Sequence, residues 1–230
     1  MKVNTAPGVW SRTWRGIDLI TMVVLRVLRR WPRVAGAYVL TLLGAYIWWI
    51  LQSPHTRLSV LAASSTDISH LERVPWVVLP ASSIWPGDMF GYWAVVVLLC
   101  VGALERLRGG LVTLVTGAVA HVVATGVSEG ITAARIAAGN LSGSAEHLLD
   151  VGPSYAVAAC AAAVAFSPHA NRWLRLACAL TLVPLVVTAF DFSDESQVAA
   201  IGHAVAMLTG IVAARWRRRP PAVALTPAVA

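Results

Sequence analysis

Six apolar runs of sixteen to eighteen residues, spread along 230 residues, constrain this chain more than any other feature. They cover residues 34–51, 89–104, 111–127, 151–166, 174–190 and 197–214. A helix needs roughly 17–25 apolar residues to cross a bilayer. Away from water, its backbone must also satisfy its own hydrogen bonds. The expected fold is therefore all-α: a polytopic membrane bundle of six transmembrane helices. Charged residues make up 13% of the chain, about half the roughly 25% of a soluble domain.

The charges are sorted by segment. Of the eighteen Lys and Arg residues, seven precede the first run, two follow the second, two follow the fourth and four follow the sixth. Only Arg57, Arg73 and Arg135 fall in the other connections, whereas nine of the eleven acids fall there, all but Asp18 and Glu105. Basic segments resist translocation, so the expected placement is multi-pass in a cell membrane with both termini cytoplasmic. The same sorting accounts for the net charge of +7 by a lipid bilayer partner and without nucleic acid.

Three segments follow. Residues 1–33, with Trp10, Trp14, Trp31 and seven basic residues, read as an amphipathic segment on an anionic membrane face. Residues 34–214 form the six-helix domain, and residues 215–230 a basic cytoplasmic tail. Two connections are long: residues 52–88, and the polar, Gly/Ser-rich residues 128–150. Asp88 and Asp150 are placed to cap the runs that follow them. Glu105 is placed to fix its turn with Arg106 or Arg108. Cys100, Cys160 and Cys178 sit inside apolar runs without disulfide or metal-ligand spacing. His147 and Asp150 are two potential ligands, too few for a metal site. No cofactor is expected.

Two residues can carry chemistry together. Ser154 lies in the first turn of the fourth run and His203 in the sixth. At about 1.5 Å rise per residue, both lie roughly 6–10 Å below the same ends of their helices. The sixth run carries Gly202, Ala206, Gly210 and Ala214 at four-residue spacing, and the fourth carries Ser154, Ala158 and Ala162. Such faces let helix backbones approach closely, which brings a hydroxyl towards an imidazole. A serine becomes a nucleophile when a neighbouring histidine takes its proton. First-turn N–H groups can hold an oxyanion. His121, at similar depth in the third run, can serve as an auxiliary donor or bond another helix.

These residues carry a family resemblance. Gly152-Pro153-Ser154-Tyr155 is similar to the GxSG nucleophile motif of rhomboid intramembrane serine proteases. Gly202-His203 followed by Ala206 and Gly210 looks like the family's AHxxGxxxG helix. Val101-Gly102-Ala103-Leu104-Glu105 with Gly109-Gly110 resembles the end of its second helix. The chain resembles a divergent bacterial rhomboid-like branch over about residues 35–214. The resemblance implies Ser154 as nucleophile, His203 as base, with Gly152 and His121 as auxiliary or oxyanion groups. Departures are visible too. Tyr155 replaces the last glycine of the motif. Met89 and Trp93 stand where the second helix has its oxyanion histidine and asparagine. Ala158 stands where the family has a tyrosine stacked on the histidine. Two functions are therefore expected: an intramembrane protease cleaving transmembrane substrates near the outer leaflet, or an inactive rhomboid-like protein that binds or escorts membrane clients. No inverted repeat of the kind transporters use is present.

Overall fold

A computed structural model describes residues 32–187 and 194–215. The expected amphipathic segment and basic tail therefore lie almost entirely outside the described residues. The helices are α1 (Arg33–Leu51), α2 (Pro54–Ser64), α3 (Ile68–Arg73), α4 (Pro75–Ser82), α5 (Gly87–Arg108), α6 (Gly110–Ala137), α7 (Ser154–Ala165), α8 (Arg172–Leu180), α9 (Val183–Val187) and α10 (Asp194–Arg215). The chain is all-helical among the described residues.

Among the described residues, four helices are long and apolar enough to cross a membrane: α1, α5, α6 and the Gln197–Arg215 part of α10. Six were expected. The fourth run forms the 12-residue α7, about 18 Å long at 1.5 Å per residue. The fifth run breaks into α8 and α9 around Thr181 and Leu182. Pro184 just beyond the break has no N–H to donate to a continuous ladder. In the third run the correction goes the other way. Residues 128–137 continue α6 as helix rather than forming a loop.

Large apolar side chains lie outside the bundle and a row of polar ones lies inside it. Leu40, Leu51, Val95, Leu111, Leu208 and Val212 face outwards, while His121, Thr125, Ser128, Glu129 and Thr132 of α6 are buried. Lipid accepts the first set, and the second must point into the bundle. The protein is a membrane protein by this partition and by its long apolar helices.

α7 is the central element. Every residue from Val157 to Val164 is buried, and most are alanines, so neighbouring backbones come close. A methyl group added at Gly210 of α10 would run into the Ala159 carbonyl of α7. One added at Gly117 of α6 would lie 3.5 Å from Ala156.

The Arg-rich end of the bundle is tied by side chains that meet helix termini. Glu105 Oε2 accepts from the Val34 N–H at 2.9 Å and the Ala35 N–H at 3.1 Å. Glu105 therefore caps α1 rather than bonding Arg106 or Arg108 within its own turn. The reason is that a helix start carries free N–H groups and positive potential. Methyl groups at Gly102 and Gly110 would each lie 3.2 Å from the start of this helix, against Pro32 and Val34. Gly109 makes the turn at φ 87°, where glycine is favoured. Arg108 donates to the Ala214 carbonyl and Arg175 to the Ala165 carbonyl, closing α10 and α7.

At the opposite end the long first connection is folded. The Ser53 and Asp67 side chains cap α2 and α3, and prolines open α2 and α4, as expected at first helical positions. Asp88 does not cap α5. It accepts from Trp49 Nε1–H at 2.9 Å, linking α1 to α5.

Candidate functional site

Ser154 is the first residue of α7, and no side chain among the described residues caps that helix. The turn before it is set by Gly152, whose φ of 132° disfavours a side chain. The Gly152 N–H donates to the Ser82 carbonyl at 2.7 Å, so this expected auxiliary donor is already engaged. Asp150 does not cap α7 either. Its carboxylate accepts from Thr66 Oγ1–H at 3.1 Å, and its N–H donates to Ser65 Oγ at 3.0 Å. These contacts fasten the α2–α3 turn to the entry of α7.

His203 is buried on α10. No hydrogen bond joins it to Ser154, because neither ring nitrogen has a partner among the described residues. The ring that meets His203 belongs to Tyr155. The two ring centroids are 5.3 Å apart in an edge-on arrangement, a favourable aromatic geometry. A methyl group at Gly202 would overlap the Tyr155 ring, so Gly202 is the floor on which that ring rests. An aromatic ring on the histidine, which the resemblance puts at Ala158, is supplied here from the position after the serine. The helix register explains it: neighbouring residues project about 100° apart, so Tyr155 turns inwards while Ser154 stays half-buried.

His121 closes the other side of Tyr155, with centroids 6.0 Å apart. Its Nε2 lies 2.8 Å from the Leu79 carbonyl and 3.0 Å from Ser82 Oγ. A carbonyl only accepts, so the proton sits on Nε2. His121 thereby joins α6 to α4. His121→Ala removes about 1–1.5 kcal/mol of local stability. Amide exchange in residues 75–83 is then expected to quicken about tenfold, with little change in α7.

Burial pushes the Asp150 carboxyl up to about 6, partly opposed by the Thr66 hydrogen bond. A carboxyl that binds its proton more tightly when folded stabilises the fold in acid. That contribution is complete below the ordinary value of 3.8, is lost as pH rises towards 6, and is absent above it. That tighter hold on the proton corresponds to about 3 kcal/mol. Asp150→Asn is expected to flatten the fall in melting temperature between pH 4 and 7, and to melt higher than the unsubstituted protein at pH 7.

Two residues here escape a search for nucleophiles and bases. Tyr155 reads as a mere departure from a motif, and Glu129 reads as part of a loop. The signal for Glu129 is spacing. With His121, Thr125, Ser128 and Thr132 it continues one helical face at intervals of three, four and seven, and all five are buried.

The family model for rhomboid-like proteins matches residues 33–220. This chain belongs to the rhomboid-like protein family. No curated protein and no solved structure matches it. The matched span takes in the Gly102–Gly110 seat of α1, the turn at Gly152 and the Tyr155–His203 contact. In this rhomboid-like protein α7 is thus held between α6 and α10, with tyrosine rather than serine on the histidine.

Proposed function

We propose that this rhomboid-like protein holds or escorts transmembrane clients in a bacterial inner membrane without cleaving them. The observation that supports this reading is the Tyr155 ring against His203, in a geometry where neither imidazole nitrogen bonds Ser154. Hydrolysis by acyl transfer needs a base that reaches the nucleophile's proton. A buried imidazole faced by a ring edge lacks that reach. Substitution of the family's oxyanion residues by Met89 and Trp93 agrees with it.

The test is co-expression with a panel of single-span membrane proteins. Clients recovered intact with the protein, in equal amounts from wild type and Ser154→Ala, are expected. Cleavage fragments that vanish with Ser154→Ala would overturn the proposal.

One observation favours a second reading, a Ser154–His203 intramembrane protease. No side chain among the described residues caps α7, which leaves its first-turn N–H groups to an oxyanion beside Ser154. That reading requires Tyr155 to leave His203 during turnover. Both readings place the termini in the cytoplasm, on the segregation of basic residues. A reporter fused at residue 140 is expected to give an external signal, and a cytoplasmic one would contradict the placement.

A further inference from the structure

Seven buried side-chain polar atoms between α6, α7 and α10 have no hydrogen-bond partner among the described residues. They are His121 Nδ1, Thr125 Oγ1, both oxygens of Glu129, the Tyr155 hydroxyl and both ring nitrogens of His203. Each of these five side chains is at most 7% exposed. His121, His203 and Glu129 lie around the Tyr155 ring, and Thr125 is one helical turn from both His121 and Glu129 on α6. Tyr155 meets His121 on one side and His203 on the other. Its hydroxyl lies near Asp150 and Ser128 and within electrostatic reach of Glu129.

Such a cluster is costly in a membrane interior unless something partners it. Among the described residues direct pairing does not occur, so the partner must both donate and accept. A metal ion is disfavoured: among the described residues no three His, Cys, Asp or Glu side chains lie close enough to hold one. Nor does a basic side chain among the described residues form an ion pair with Glu129. Water fits, since a buried water needs two to four polar partners in a polar site. A neutral carboxylic acid also fits better than an unpaired carboxylate, because it adds a donor and removes a charge.

We propose that Glu129, Thr125, the Tyr155 hydroxyl and His203 enclose internal water, and that Glu129 holds a proton there as a neutral acid. The water links Glu129 on α6 to His203 on α10 past the Tyr155 hydroxyl. Glu129 is faced by Asp150 and Asp67 from the connections and by Tyr155 from α7. Asp67 is paired with His70 at 2.9 Å. Glu129, buried with both oxygens unpartnered among the described residues and with acidic groups facing it, holds the proton as a neutral acid. This inference does not depend on whether the protein cleaves or holds its clients.

Infrared spectroscopy of the full-length protein in detergent at pH 7 tests it, in H2O and in D2O. A protonated-carboxyl carbonyl band is expected in the wild type. It should move to lower frequency within minutes of transfer to D2O, because water reaches the proton. Glu129→Gln should remove the band, and Asp150→Asn should keep it. His203→Gln should shift its frequency, because the shared water changes. Absence of the band would overturn the neutral acid. A band that stays unexchanged in D2O would overturn the water. If Glu129→Gln fails to fold, Glu129→Asp gives the assignment by displacing the band, and a band that neither variant alters would overturn the assignment.

Discussion

Gly210→Ala is expected to lower the melting temperature of this protein by about 5 °C. The added methyl group meets the backbone carbonyl of Ala159, which cannot swing aside as a side-chain tip can. Overpacking of this kind costs about 3 kcal/mol. The helix gains about 1 kcal/mol when alanine replaces glycine, so about 2 kcal/mol of destabilisation remains. For a chain of this length that is about 5 °C. Gly126→Ala is the control. Gly126 lies on the same kind of apolar helix with nothing within 4 Å of the added methyl, so there the propensity gain stands alone and the melting temperature should hold or rise. Thermal unfolding in one detergent measures both. A Gly210→Ala protein as stable as wild type would mean that α7 and α10 are not in this close register.

Glu105→Ala is expected to cost about 3 kcal/mol. One carboxylate oxygen accepts from both the Val34 and Ala35 N–H groups. Hydrogen bonds to charged groups contribute about 1.5–3 kcal/mol each, and the freed N–H groups are part-buried. The negative charge also sits at the positive end of α1. Glu105→Gln keeps an acceptor oxygen but not the charge, so it should cost about half as much. Hydrogen exchange separates this cap from a general loss of stability: protection should fall first at residues 33–37. If Glu105→Ala leaves that segment protected, the glutamate is not what holds α1.

Much of the bundle was legible because lipid enforces a simple rule. Apolar runs at 34–51, 89–104 and 197–214 became α1, α5 and α10 within a few residues, since a backbone in hydrocarbon has no better option than helix. Runs failed as guides where polar residues are packed inside. Ser128, Glu129 and Thr132 lowered the local hydropathy and suggested a loop, yet they are buried on α6. The folded first connection left readable traces in Ser53-Pro54, Asp67 and Pro75, which are capping and first-turn residues. The Glu105 motif was legible as a pattern, but not as a cap, because its partner lies 70 residues away. The contacts of the candidate site were not legible. Ser154 and His203 do lie on helices that pack together. Which of Ser154 and Tyr155 meets the histidine depends on a rotation of one residue about α7, and no residue spacing along the chain determines that.

The central claim is that His203 is engaged by Tyr155 and leaves Ser154 unactivated. Fluorophosphonate labelling of the folded protein in detergent tests it most directly, with wild type beside Ser154→Ala and His203→Ala. The account predicts no labelling of wild type above the Ser154→Ala background. Labelling that requires both Ser154 and His203 would contradict it and establish an activated serine.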